Sequence, residues 1–145
     1  MWLNKDTEEI VVLDYKATST KNLEDYTTSQ KHYHVGYRRQ LDFYAYLLKL
    51  NDFKVHDTGY WLICNATDGE QKTFNKTVNF KTTLLSYKLN TDYIEDSLVD
   101  LKACLDADKY PSSGQDCDNC RWYNEKKKLG DSIRSNAEKK QKEKE

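Results

Sequence analysis

The chain has 145 residues, enough for one domain around a single core and not comfortably enough for two. Its net charge of -1 and pI near 6.3 give no whole-chain basic signal, so a nucleic-acid partner would have to be met by a local patch. No apolar run of the ~18 residues a membrane helix needs is present, and the first residues lack the apolar core of a signal peptide. A cytoplasmic chain with no membrane partner is therefore expected. In that setting the four cysteines read as thiols or metal ligands, and the sequons at Asn65 and Asn75 carry no weight.

The mean hydropathy of -0.96 is lowered by residues 125–145, which are almost all Lys, Glu, Asn, Ser and Gln. That stretch reads as a charged tail, disordered or helical. The aromatic and aliphatic residues lie before it and can build a core.

Trp2–Leu3 reads as the end of a strand, residues 4–8 as a polar turn, and Ile10–Leu13 as a β-branched apolar run leading into Asp14-Tyr15-Lys16. A hairpin is expected, with the second strand central and buried on both faces. Residues 17–36 have no period and read as a long loop, of the kind that is more often functional than idle. Tyr37–Leu50 is the clearest helix, because Tyr37, Leu41, Tyr44 and Leu48 fall on one face.

Thr58–Cys64 reads as a second buried strand and Asp68-Gly69 as a turn. Val78, Phe80, Thr82 and Leu84 alternate, which predicts a strand burying that face. Asp92 looks like an N-cap with Glu95 as its capping partner. The helix it opens carries Ile94, Leu98, Leu101 and Leu105 as its apolar stripe. Pro111 and Gly114 mark a loop before Cys117-x-x-Cys120. Strand, strand, helix, strand, strand, helix implies an α/β or α+β domain.

Two clusters carry possible chemistry. Asp14 and Lys16 lie on the same side of a strand, because residues i and i+2 share a face. A carboxylate and an ammonium on an apolar strand need a reason, unless the strand has already run into solvent. The carboxylate is a hard ligand for a divalent cation, and the lysine can hold a water or stabilise charge on a phosphate. Gln40 and Tyr44, at i and i+4, share a helix face. Taken alone they fit a helix with Tyr in its core.

Taken together, the strand Val11–Ser19 with its D-x-K and the helix Tyr37–Tyr46 with Q-x-x-x-Y resemble the RecB-like, CRISPR-associated exonuclease-like branch of the PD-(D/E)XK nuclease superfamily. The resemblance covers roughly residues 1–123 or 124. It implies a restriction-endonuclease-like core with a mixed central sheet flanked by helices, and hydrolysis of DNA phosphodiesters with Mg²⁺ or Mn²⁺. It implies that Asp14 and the Tyr15 backbone carbonyl bind the metal, that Lys16 positions the attacking water, and that Gln40 and Tyr44 support it. A larger helicase–nuclease or defence complex is the implied setting.

Two departures follow. The family's first acid should stand on the strand ahead of Trp2, so the chain is expected to be N-terminally incomplete, to lack the first core helix and to be inactive alone. The Cys117-x-x-Cys120 segment resembles the end of domains that hold an iron–sulfur cluster, but two cysteines are half of such a site, so neither cluster nor zinc is expected. Cys64 and Cys104 read as small core residues.

Weaker candidates are His32 and His34, in the expected loop, and Lys31, Arg38 and Arg39. With Tyr33 and Tyr37 these cations form the basic–aromatic mixture that nucleic-acid contact uses. A non-catalytic binding module on the same fold is the alternative function, and a small metal-binding domain organised by Cys117 and Cys120 a third.

Overall fold

The computed structural model describes residues 1–67, 76–114 and 117–142. The turn expected at Asp68-Gly69 and the sequon beginning at Asn75 lie outside the described residues. The chain divides into two compact units, Met1–Val99 and Asp100–Glu145.

The first unit opens with the expected hairpin. Strand β1 (Trp2–Asn4) pairs antiparallel with β2 (Glu9–Val11), and Glu8 turns the chain at a φ of 57°. The chain then runs through Val12 into β3 (Leu13–Thr18), which pairs in parallel with β4 (Thr58–Ala66); β4 pairs antiparallel with β5 (Phe80–Lys88). The mixed sheet has the order β3-β4-β5, so β4 is central and β3 lies at an edge. This corrects the expectation of a central, doubly buried D-x-K strand. β3 is half-buried, with Tyr15 60% exposed on the face away from Asp14.

The long expected loop is shorter than its sequence suggested. It contains a turn of helix, α1 (Asp25–Thr28), and the main helix α2 begins at His32 and runs to Leu50. Nothing in 32–36 is a strong helix former, and Lys31 provides no side-chain cap. Packing holds these residues in the helix. His34 is buried and its ring lies 5.3 Å from Tyr26, 4.3 Å from Tyr33 and 6.0 Å from Tyr37. His34 is therefore a core residue, not a loop ligand, and burial lowers the pKa of its imidazole.

The core lies between α2 and one face of the sheet. Val12, Tyr26, Leu41, Ala45, Trp61 and Ile63 form it, with Leu48, Leu85 and Tyr87 packed around them. Gly59 lets β4 pass close to Leu89, since a Cβ there would meet Leu89 Cδ2 at 3.0 Å and press that side chain aside. The expected face of β5 is inverted. Leu85 pairs with Trp61 and faces the core, while Phe80 and Leu84 are exposed. A period of two makes a one-residue misreading exchange every side chain.

Helix α3 (Ile94–Asp106) starts close to its predicted place, but Asp92 and Glu95 do not form the expected capping pair. The Asp92 N–H donates to Asn90 Oδ1, and Glu95 accepts from the Tyr46 hydroxyl at 3.3 Å. Ile94 is buried. Leu98, Leu101 and Leu105 are exposed, so the stripe marked a helix without marking a covered face.

In the second unit, residues 111–114 are irregular, and α4 spans Asp118–Lys142. The charged tail is helical to that point. Cys104 is exposed rather than core, and Cys64 is half-buried.

Candidate active site

Register decides which way Asp14 and Lys16 point. Asp14 pairs with Trp61 and Lys16 with Ile63, and those two partners face α2 in the core. Asp14 and Lys16 therefore project from the edge strand toward the same helix. Their side chains are 15% and 18% exposed, enough for water to reach and too little for free solvation.

Helix α2 meets them with Gln40. Lys16 Nζ donates to Gln40 Oε1 at 2.8 Å and lies 2.8 Å from Asp14 Oδ2. Gln40 Nε2 donates in turn to Tyr44 Oη at 2.6 Å, one helical turn on. Asp14, Lys16, Gln40 and Tyr44 thus form one connected polar chain, although Asp14 and Gln40 are 26 residues apart in sequence.

Asp14 Oδ2 is buried and accepts no aligned hydrogen bond. The nearby Lys16 ammonium attracts it electrostatically but lies off the direction of a good hydrogen bond. The carboxylate's charge is balanced by Lys16, and its hydrogen-bonding capacity is left for a further partner.

Sequence reasoning did not anticipate two aromatic supports. Lys16 Nζ sits over the Tyr37 ring, 4.5 Å from its centroid, and Tyr37 stacks on Tyr26 at 5.5 Å. The ring face attracts the ammonium and fixes its position. Tyr37 precedes Gln40 by one helical turn, so the helical spacing could have revealed it. Tyr26 comes from the aperiodic segment and carried no such signal. Burial raises the Tyr26 hydroxyl pKa despite its hydrogen bond with Thr18.

The candidate basic trio is divided. Arg38 donates to the Tyr26 carbonyl at 3.0 Å and the Ser29 carbonyl at 2.8 Å, which ties α1 to α2. Lys31 and Arg39 are exposed. Cys64 lies on the other sheet face, within 3.6 Å of Thr82 Oγ1; hydrogen bonds from Tyr15 and Thr82 lower its thiol pKa.

The donor set suits a divalent cation in part. Asp14 supplies a hard carboxylate oxygen with capacity for a further partner, and the adjacent Tyr15 carbonyl could add a second oxygen. Mg²⁺ commonly uses one or two carboxylates and fills its shell with water and phosphate oxygens. Among the described residues no group of three or more His, Cys, Asp or Glu is placed to hold a metal, at this site or at Cys117 and Cys120.

Also among the described residues, no helix is long and apolar enough to cross a membrane. Neither the curated proteins nor the solved structures give a significant match to the chain. The family model of the PD-(D/E)XK nuclease superfamily matches residues 3–124, the span that contains the β3–α2 polar chain, and the protein belongs to that superfamily.

Proposed function

We propose that residues 1–124 form a nuclease domain of the RecB-like branch that hydrolyses DNA phosphodiesters with Mg²⁺ or Mn²⁺, acting in the cytoplasm within a larger helicase–nuclease or defence complex. On this reading residues 125–145 are a charged extension. The observation that carries the reading is the state of Lys16. Its ammonium is held at 2.8 Å from both Asp14 and Gln40, beside a carboxylate oxygen that lacks an aligned donor.

A divalent cation bound at Asp14 and the Tyr15 carbonyl would supply the charge that a phosphoryl transition state needs. The chain's own residues do the rest. Gln40 and the Tyr37 ring hold Lys16 in place, so its remaining N–H can orient a water toward phosphorus or meet charge growing on a phosphate oxygen. Gln40 spends its carbonyl on Lys16 and its amide on Tyr44. Because Tyr44 accepts from Gln40, its own hydroxyl proton stays free for a phosphate oxygen. Lys31 and Arg39, both exposed, can contact the DNA backbone, whereas Arg38 already serves two carbonyls.

With one carboxylate at the site among the described residues, metal affinity is low and cleavage by the chain alone is slow or absent. The test is plasmid nicking by excess protein with Mg²⁺ or Mn²⁺, beside Asp14→Asn and Lys16→Ala. Weak metal-dependent nicking lost in both variants supports the reading, and nicking that survives both overturns it.

The single carboxylate also favours a second reading, a module that binds DNA without cutting it. Its mark would be salt-sensitive DNA binding, unchanged in Asp14→Asn, with no nicking under any condition.

A further inference from the structure

Cys117 and Cys120 have no part in the Lys16 chain, and their placement is specific. Cys117 stands immediately before α4, whose first residue is Asp118. Its carbonyl accepts the Arg121 N–H at 3.0 Å, and its Sγ accepts the Cys120 N–H at 3.4 Å. This is N-cap geometry with sulfur in the place of the usual oxygen. Both thiols are partly exposed.

Residues three apart in a regular helix have Cβ atoms about 5–6 Å apart, beyond the ~3.5–4.5 Å a disulfide spans, so closing the pair takes a shift of the first turn at the N-cap residue Cys117 together with rotation of both side chains. The environment separates the two sulfurs. The Cys120 backbone N–H and thiol lower the Cys117 pKa, while the hydrogen bond to Cys117 raises that of Cys120. Low thiol pKa and partial exposure together are what make a cysteine reactive. No third metal-ligating side chain joins them among the described residues.

We propose that Cys117 and Cys120 form a thiol–disulfide exchange pair, with Cys117 as the attacking sulfur and Cys120 as the resolving one. The co-reactant is a low-molecular-weight disulfide, RSSR. The Cys117 thiolate attacks one of its sulfurs, forms the mixed disulfide Cys117–S–S–R and releases RS⁻. Cys120 then gives its proton to solvent, and its sulfur attacks that of Cys117 and expels the second RS⁻. Two protein thiols become one disulfide, and RSSR is reduced to two thiols. Closing the bond forfeits the contact of the Cys117 thiolate with the helix N–H groups. That loss favours the reduced form, so the disulfide opens readily and serves exchange rather than structure.

The experiment exposes the full chain to oxidised glutathione, quenches with an alkylating reagent and reads each cysteine by peptide mass spectrometry. Wild type should form a Cys117–Cys120 disulfide that dithiothreitol reverses, while Cys104 remains alkylatable. Cys120→Ser should trap one glutathione on Cys117. Cys117→Ser should load Cys120 several-fold more slowly. Unmodified protein gives an independent reading, because at neutral pH iodoacetamide should label Cys117 several-fold faster than the exposed Cys104.

Equal labelling of Cys117 and Cys104, or glutathione on Cys120 at the rate of Cys117, would overturn the proposal. So would purified chain carrying stoichiometric zinc or iron that Cys117→Ser removes, since the pair would then be half of a metal site.

Discussion

Two carboxylates lie against helix α2, and the fold satisfies them very differently. Asp42, in the middle of the helix, is 2% exposed and accepts three hydrogen bonds: from the Asn90 N–H at 2.8 Å, the Tyr93 hydroxyl at 3.0 Å and the Tyr87 hydroxyl at 3.1 Å. Asp14, on the edge strand facing that helix, has a buried oxygen with the Lys16 ammonium at 2.8 Å and no aligned hydrogen-bond donor. Asp42 is closed to any further partner, and Asp14 is open to one. The first joins α2 to the β5–α3 corner, and the second pairs with Lys16 and keeps room for a further partner. A polar group that folding alone required would resemble Asp42.

The largest expected effect separates the two by stability. Asp42→Ala removes the acceptor of two buried hydroxyls and an N–H, and should cost about 3 kcal/mol in urea unfolding. Asp14→Asn keeps the shape and an acceptor oxygen, and Gln40 and the Tyr37 ring still hold Lys16, so its cost should stay below about 1 kcal/mol. A loss for Asp14→Asn as large as that for Asp42→Ala would show that both carboxylates are structural.

Activity should rank them in the opposite order. Residual nicking should fall by at least about 100-fold in Asp14→Asn, the scale of losing a group that acts in the transition state. Asp42→Asn keeps an acceptor for the Asn90 N–H and should retain nicking within a few-fold. Nicking assays run well below each variant's unfolding midpoint check this contrast.

Alkali tests the Asp42 cluster by itself. Burial first, and then the neighbouring Asp42 carboxylate, push the Tyr87 and Tyr93 hydroxyls up to about 12 from 10. The folded protein therefore keeps two protons that the unfolded chain releases near pH 10. Their stabilising effect is complete below pH 10 and is lost as pH rises from 10 towards 12. The unfolding midpoint should drop across that window, and the drop should shrink in Tyr93→Phe. An equal drop in Tyr93→Phe would place its origin elsewhere.

The contrast also explains what the sequence could reveal. Strand geometry puts Asp14 beside Lys16 and helix geometry puts Gln40 beside Tyr44, but the contact that joins the two pairs spans 24 residues and is implied only by the family resemblance. Asp42 could not be anticipated, because its three donors come from residues 87–93 and its own neighbours look like a solvated helix edge. β5 failed for a related reason: Phe80, Thr82 and Leu84 alternate as well as Thr83, Leu85 and Tyr87 do, and only the pairing with Trp61 selects the second set. His34 entered the helix through contacts with Tyr26, Tyr33 and Tyr37, which no local propensity encodes.

The smallest effects lie along the polar chain beyond Lys16. Gln40→Ala removes the acceptor at 2.8 Å and leaves Lys16 to Asp14 and the Tyr37 ring. Residual nicking should fall about tenfold, because the ammonium is still present but less well oriented. Tyr44→Phe keeps Gln40 on Lys16 and deletes only the 2.6 Å contact at the exposed end. The solvent that reaches Tyr44 can replace that partner, so stability should change by about 0.5 kcal/mol or less. Nicking should fall a few-fold if the free Tyr44 proton meets a phosphate oxygen, and not at all if Tyr44 only steadies Gln40. A loss in Tyr44→Phe that exceeds that in Gln40→Ala would reverse the order of the chain and make Tyr44 the residue that touches substrate.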